Sequence, residues 1–92
     1  MKQFIVVAYD IADDRRRQKI VKVLVQFGLR CNESVFECIL TESKIIKMKQ
    51  QLLKLTNNKE DSILYYYLCK TCVMKRENIG CRPTQLPETI IL

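Results

Sequence analysis

Blocks of apolar residues alternate with polar segments along the chain, and the first block predicts a strand. Residues 4–8 form an unbroken apolar run that is rich in β-branched side chains. The run is too short for a helix and has polar residues on both sides, which is typical of a strand buried on both faces. It ends at Tyr9 and Asp10. We therefore expect a central strand with an acidic residue at its exit.

The second block has the three- and four-residue spacing of an amphipathic helix. Its apolar positions recur from Ile20 to Phe27. Asp13 or Asp14 can cap the start of this helix by accepting hydrogen bonds from free backbone N–H groups. Gly28 can supply a left-handed stop after it. The pattern predicts a helix from Asp14 to Phe27.

Three further segments complete the pattern. Residues 29–40 are mostly β-favouring and contain no turn signal, so they form either one long bent strand or two short strands around residues 32–34. A lysine-rich helix then follows, capped by Thr41, with one apolar face and an end at Asn57 and Asn58. The aromatic and apolar run at residues 62–69 predicts another strand.

This order of elements fits a ferredoxin-like βαββαβ sandwich of the α+β class. Both helices would cover one face of an antiparallel sheet. The other face would be aromatic-rich and half-covered, which favours dimerisation or ligand binding. Residues 78–80 leave room for a short C-terminal edge strand. We expect one domain over residues 1–82 and a tail over residues 83–92.

Net charge, the length of apolar stretches and the residue types present limit the classes of function open to this chain. The 92 residues carry a formal net charge of +6, which favours a polyanionic partner such as nucleic acid. No stretch approaches the ~20 apolar residues of a membrane span, and no signal peptide is recognised, so we expect a cytoplasmic protein without membrane contact. The chain contains no histidine, so neither serine-triad nor histidine-based ribonuclease chemistry is supported.

Asp10 is the candidate metal ligand, because a side chain at a strand exit can leave the core. Magnesium prefers oxygen ligands, keeps several waters and often uses only one or two protein carboxylates. A two-fold axis would supply a second Asp10 without any further sequence. The alternative is that Asp10 caps a turn and does no chemistry.

Three consecutive arginines, Arg15, Arg16 and Arg17, follow the acidic residues. In the first turn of a helix each opposes the helix dipole by roughly 0.3–1 kcal/mol, which suggests that they serve another purpose. Guanidinium groups beside free backbone N–H groups make a phosphate site, and Lys19 and Arg30 would extend it. The alternative is a solvated charge run neutralised by the neighbouring aspartates.

Two aromatic residues and five cysteines can each be interpreted as structural or as functional. Tyr9 and Phe36 could stack on a base or pack at a subunit contact, and packing is favoured. Cys69 and Cys72 have metal-knuckle spacing with Cys81 as a third ligand, but structural zinc takes four ligands, and no following helix is expected that would support redox catalysis. The remaining two cysteines, at positions 31 and 38, are interpreted as small buried hydrophobes in a chain of free thiols.

Several motifs together resemble the CRISPR-associated Cas2 family of small adaptation proteins. They occur in the family's order across residues 1–72. The matching segments are Val7–Ile11, Asp13–Arg17, Gly28, Arg30, Ser34–Glu37, Leu40–Thr41, Glu60–Ser62 and Tyr67–Cys69. Asn32 and Glu33 depart from the family, which commonly has Gln and an aromatic or apolar residue there. Each motif is weak alone, and their combination is specific.

The resemblance implies a homodimer of ferredoxin-like domains with Asp10 near the two-fold axis. Paired Asp10 residues would share one Mg²⁺ ion for phosphodiester cleavage of RNA or DNA. The same dimer would bridge copies of the Cas1 integrase and lie along double-stranded DNA during spacer acquisition. A purely architectural subunit of the integration complex is the first alternative. A toxin-like endoribonuclease on the same fold is the second. Single-stranded RNA is a further expected partner besides double-stranded DNA.

Overall fold

The computed structural model describes residues 1–75 and residue 77, which form four strands and three helices. The predicted edge strand at residues 78–80, Cys81 and the tail lie outside the described residues. In chain order the elements are β1 (Lys2–Asp10), α1 (Asp14–Leu24), β2 (Gly28–Asn32), β3 (Val35–Thr41), α2 (Glu42–Leu55), β4 (Ser62–Leu68) and α3 (Lys70–Met74).

The four strands form one antiparallel sheet in the order β2-β3-β1-β4. β1 lies in the interior, with Val7 opposite Phe36 on one side and opposite Tyr65 on the other. This is the ferredoxin-like arrangement, so the predicted α+β class and the central position of β1 are confirmed. None of the helices in residues 1–75 is long and apolar enough to cross a membrane.

Strand alternation sends one set of side chains into a core beneath α1 and α2. From β1 this set is Ile5, Val7 and Tyr9, each at most 5% exposed. They pack with the apolar faces of the two helices and of β3. The helix residues in this core are Ile20, Leu24, Ile45, Met48 and Leu52.

The opposite side of the sheet is not covered by α1 or α2, and we call it the open face. Leu64 and Tyr66 are about half exposed there, at 51% and 52%. Burial of β1 on both faces is confirmed at Phe4, whereas Val6 and Ala8 are only half-buried. By strand register the open face consists of Phe4, Val6, Ala8, Val35, Glu37, Ile39, Leu64, Tyr66 and Leu68.

Residues 29–40 form two strands joined at Glu33 and Ser34. The turn is stabilised locally, because the Asn32 side chain accepts a hydrogen bond of 2.7 Å from the Glu33 N–H. It is also stabilised at long range, because the Tyr9 N–H donates to the Ser34 carbonyl at 3.0 Å. Side-chain capping of this kind replaces the Gly or Pro that usually marks a turn.

Both long helices end earlier than predicted, and α2 ends at Leu55 rather than at Asn57 and Asn58. Asp13 caps α1 as expected, with its carboxylate accepting from the Arg16 N–H at 2.9 Å, but the helix ends at Leu24 rather than Phe27. A tighter turn covers residues 25–27, where the Phe27 N–H donates to the Leu24 carbonyl at 2.9 Å. Thr41 occupies the cap position of α2 without a side-chain capping bond.

Gly28 is not a left-handed helix stop, contrary to prediction, but the first residue of β2. A Cβ at this position would lie 2.4 Å from the Glu37 carbonyl oxygen and 2.5 Å from the Cys38 sulfur. Close approach of β3, rather than an unusual backbone angle, therefore requires glycine here.

We expect Gly28→Ala to lower the free energy of unfolding by about 1–3 kcal/mol, because the added methyl group meets backbone that cannot move aside. Urea unfolding followed by circular dichroism at fixed protein concentration measures this. Gln26→Ala, at an exposed position of the preceding turn, is the matched control and should stay within about 0.5 kcal/mol of wild type. Greater stability of Gly28→Ala, the usual effect where a strand glycine has free space, would contradict the packing argument.

Candidate active site at the exit of the first strand

Asp10 is the last residue of β1 and is exposed. It lies opposite Ser62 in the register with β4, two residues beyond Ala8, which lies opposite Leu64. Strand alternation therefore places Asp10 on the side of the open face, while its neighbour Tyr9 points into the core. The exit of β1 presents one carboxylate to solvent at the edge of an uncovered apolar surface.

Arginines border the same strand exit. A cavity of about 650 Å³ is lined by Asp10 together with Arg17, Arg30 and residues of the β2–β3 turn. Arg30 donates from Nη2 to the Glu33 carbonyl at 2.7 Å, which holds its guanidinium at the turn. Arg17 donates to the Ile11 carbonyl at 3.0 Å and to the Asp14 carboxylate at 2.6 Å. Of the predicted site residues, the structure brings these two arginines next to Asp10.

Asp61, in the loop before β4, fixes the segment that follows Asp10. Its side chain is fully covered. One carboxylate oxygen accepts from the Ala12 N–H at 3.0 Å, and the other accepts from the Asn57 N–H at 2.9 Å. Arg16 adds a two-pronged contact, with Nε at 2.9 Å and Nη2 at 3.1 Å. Asp61 thus ties the β1–α1 loop to the α2–β4 loop.

The Arg16 guanidinium holds the pKa of the Asp61 carboxyl well below its usual range, and the Asn57 and Ala12 N–H groups lower it further against the opposing effect of burial. The same contacts raise the pKa of Arg16 above its ordinary value, chiefly through Asp61 and then through Glu60, whose carboxylate lies 2.9 Å from Nη2. Both partners of this pair therefore stay charged at neutral pH.

The three consecutive arginines do different things. Arg16 is occupied by two carboxylates, and Arg17 is paired with Asp14. Arg15 is exposed, as is Lys19 one turn further along α1, and neither forms an ion pair within the part of the chain described. Sequence reasoning assigned all three arginines together and gave no role to Glu60 and Asp61.

Tyr9 and Phe36 lie in the core, at 5% and 0% exposure, with ring centroids 6.2 Å apart. The Tyr9 hydroxyl donates to the Glu33 carbonyl at 2.6 Å. These rings pack beneath the site rather than offering a face to a nucleic-acid base. Their effect on the site is to hold the β2–β3 turn against the exit of β1.

The cysteines do not add to this site. Cys38 is fully buried, and burial raises the pKa of its thiol to about 11, in keeping with a small apolar core residue. Cys31 is half-buried. Cys69 and Cys72 lie after β4, and α3 begins between them, so the expectation that no helix follows this pair is wrong. Within residues 1–75, no three His, Cys, Asp or Glu side chains form a metal-binding group.

An antiparallel ferredoxin-like sheet with an acidic, arginine-bordered strand exit defines a small α+β protein with a charged site at one end of the sheet. Residues 1–76 match the family model described as CRISPR associated protein Cas2. The chain belongs to the CRISPR-associated Cas2 family, as its motifs predict, and by that membership is classed with CRISPR adaptation nucleases.

Individual relatives agree along nearly the whole chain. A protein of Synechocystis sp. named CRISPR-associated endoribonuclease Cas2 3 is 46% identical over 88 residues, which are 95% of this chain and 96% of that protein. Streptococcus pyogenes Cas2 has a TM-score of 0.75 at 30% identity, covering 84% of this chain and 99% of the other. A chain of a partial Cas6-RT-Cas1–Cas2 complex has a TM-score of 0.76 at 25% identity, covering 98% and 99%.

The ion pair at Asp61 predicts an acid-sensitive fold. A carboxyl whose pKa is lower in the folded than in the unfolded state contributes stability that is fully present above its unfolded pKa of about 3.9. This contribution is lost as pH falls through the folded value. We expect wild type to lose stability below about pH 4, and Asp61→Asn to be less stable at neutral pH but to lose less on acidification.

Urea midpoints measured from neutral pH into the acid range test this expectation. Glu60→Gln is the matched control, because Glu60 is 55% exposed and contacts only one nitrogen of Arg16. It should change both the neutral stability and the acid slope less than Asp61→Asn does. An acid slope equal to wild type in Asp61→Asn would show that the pair does not govern the loop.

Proposed function

We propose that two copies of this chain pair through their open faces and cleave a phosphodiester bond of RNA, using Mg²⁺ held by the two Asp10 carboxylates. The observation that carries the proposal is the side of β1 on which Asp10 lies. Asp10 lies on the same side of β1 as Val6 and Ala8, at the end of the open face. Face-to-face pairing of two open faces can therefore bring both Asp10 side chains to one seam.

The open face supports a partner of its own kind. Two of its rows, one through Phe4 and one through Ala8, place apolar residues from three strands side by side, and the row between them ends at Glu37, which is 8% exposed. The exposed members Leu64 and Tyr66 lose solvent only if another surface covers them. An identical chain offers the same apolar rows, and a two-fold contact is self-complementary. The resemblance to a homodimeric family favours the same occupant.

The donor set fits magnesium, but only in a dimer. One chain presents a single carboxylate at this exit, and Mg²⁺ often takes only one or two protein carboxylates and keeps its remaining waters. Two carboxylates brought close together repel each other, and a cation between them relieves that repulsion. When bound, the metal would activate a water molecule and stabilise the departing oxygen.

The chain's own basic residues would hold the substrate backbone. Arg17 and Arg30 line the Asp10 cavity, where guanidinium N–H groups suit the non-bridging oxygens of a phosphate. Arg15 and Lys19 would continue the contact along the exposed side of α1. Arg16 is instead a positioning residue, since its guanidinium is engaged by Glu60 and Asp61. Such contacts hold a strand without reading its bases.

RNA is the proposed substrate because the curated relatives are named endoribonucleases. Tyr9 and Phe36 are buried and offer no stacking platform, so the proposed contacts of the site are with the sugar-phosphate backbone. A single strand can bring its backbone to the seam more readily than a duplex can, which favours single-stranded RNA.

A second candidate function is architectural, and the match to a chain of a Cas1–Cas2 complex favours it. In that role the dimer would bridge Cas1 subunits and bind double-stranded DNA through its exposed lysines and arginines. Asp10 would then serve the turn alone, and no metal would be needed.

We expect Asp10→Asn to reduce Mg²⁺-dependent cleavage of single-stranded RNA by at least about 10²-fold, since losing a metal ligand removes several kcal/mol of transition-state stabilisation. Glu42→Gln is the matched control. It removes an exposed carboxylate at the start of α2, next to Thr41, which lies opposite Lys2 at the other end of β1. Unchanged cleavage by Asp10→Asn would end the hydrolytic proposal, and retained Cas1 and DNA binding by the same variant would leave the architectural role.

Charge placed on the open face should separate the dimer. We expect Leu64→Glu combined with Tyr66→Glu to weaken self-association at least about 10²-fold, because burying unpaired charges is costly. Sedimentation equilibrium measures the change, and circular dichroism checks the fold. Leu53→Glu on α2, at a position 68% exposed, is the control and should leave association unchanged. A double variant that still dimerises would place the contact on another surface.

A further inference from the structure

Cys69 and Cys72 form a close pair of exposed thiols at the end of the sheet away from Asp10. Their sulfur atoms lie 3.3 Å apart, within hydrogen-bond distance. In the register of β1 with β4, Asp10 lies opposite Ser62 and Phe4 opposite Leu68, so the pair follows the far end of β4. None of the proposed functions uses these side chains.

The backbone explains why the two thiols meet. Cys69 is extended, and its carbonyl accepts from the Val73 N–H at 3.0 Å, which closes the first turn of α3. Residues three apart on one turn lie on the same side of it. Val73 is 4% exposed and α3 contacts β4, so the turn is anchored to the sheet. The thiols are held together by an anchored turn.

The two thiols differ in acidity. Hydrogen bonding by the Cys72 backbone N–H, and then the side-chain contact with Cys72, lower the pKa of Cys69. The contact with Cys69, and the negative charge that Cys69 takes on, raise the pKa of Cys72. Cys69 is therefore the nucleophile of the pair, because the thiolate is the reactive form.

We propose that Cys69 and Cys72 form a redox-active dithiol whose substrates are low-molecular-weight disulfides. The Cys69 thiolate attacks one sulfur of the disulfide R–S–S–R, forming a Cys69–S–S–R bond and releasing R–S⁻. Cys72 then gives its proton to solvent and attacks the Cys69 sulfur, which forms the Cys69–Cys72 bond and releases a second R–S⁻. Two protein thiols are oxidised by two electrons, and the small disulfide is reduced to two thiols.

The other described cysteines do not compete in this reaction. Cys38 is buried and its pKa is raised, so it offers little thiolate. Cys31 is half-buried on β2, which is separated from β4 by β3 and β1. The dithiol is also independent of the proposed nuclease site, because Asp10 lies at the opposite end of β1 and β4.

The test is to incubate the reduced full-length chain with glutathione disulfide, quench with acid, and map the product by mass spectrometry. Lys70 lies between the two cysteines, so trypsin separates Cys69 from Cys72 unless a disulfide joins the peptides. We expect the joined peptides, lighter than the reduced pair by two hydrogen atoms. Slower amide hydrogen exchange at residues 70–74 should accompany them, because the new bond restrains opening of α3.

Single-cysteine variants assign the order of attack. Cys72→Ser should accumulate a stable glutathione adduct on Cys69, and Cys69→Ser should react at least about threefold more slowly through Cys72. Cys31→Ser is the control and should form the Cys69–Cys72 link at the wild-type rate, with circular dichroism confirming the fold of each variant. Equal rates for the two thiols, lasting glutathione adducts on wild type, or a link from Cys69 to Cys81 would overturn the proposal.

Discussion

The contact between Asp61 and Arg16 is the constraint on which the rest of the site depends. A covered carboxylate is tolerated only when it is paired and its lone pairs are filled, and Asp61 receives four hydrogen-bond donors from three residues. Two of these residues, Ala12 and Arg16, flank the start of α1. The point at which β1 stops and the helix begins is therefore fixed from across the fold, by a residue 45 positions further along the chain. Because Asp10 lies two residues before Ala12, its place at the strand exit is fixed by the same carboxylate.

The same contact gives Arg16 a structural role that its neighbours Arg15 and Arg17 do not share. If Arg16 moved away from Asp61 to bind a phosphate, the covered Asp61 carboxylate would lose its charged partner. The folded state would then be destabilised. Tyr9 and Asp10 show a similar division through strand alternation, in which the buried ring secures the exposed carboxylate. The Glu33 carbonyl receives both the Tyr9 hydroxyl and Arg30 Nη2, at 2.6 and 2.7 Å. One backbone oxygen therefore connects the core beneath Asp10 to a guanidinium beside it.

The periodicity of apolar residues predicts the elements whose formation depends on burying one of their own faces. It correctly predicted β1, the two long helices and the class of sheet. It failed where a partner on another element decides. The need for glycine at position 28 depends on how closely β2 approaches Glu37 and Cys38. From the sequence around it, Asp61 is an ordinary loop residue. The only indication of its ion pair with Arg16 is that three consecutive arginines have few acidic residues next to them. Asp13 caps α1, and Asp14 pairs with Arg17. Arg16 therefore pairs with Asp61, far along the chain.

The two candidate functions are compatible, because the proposed metal site lies at the seam of the dimer while duplex binding uses its outer surfaces, and Arg15 and Lys19 would serve both. With open faces together, α1 and α2 of each copy point outward. Their exposed basic residues, Arg15, Lys19, Lys22, Lys44, Lys47 and Lys54, then cover the outer surfaces and not the seam. Binding a long duplex depends mainly on how many phosphates such a surface neutralises, and therefore weakens steeply with salt. Cleavage as proposed would depend on one pair of carboxylates at the seam. Loss of Asp10 would thus remove hydrolysis and leave the outer charge unchanged, so a family member can keep the scaffold whether or not it keeps the chemistry.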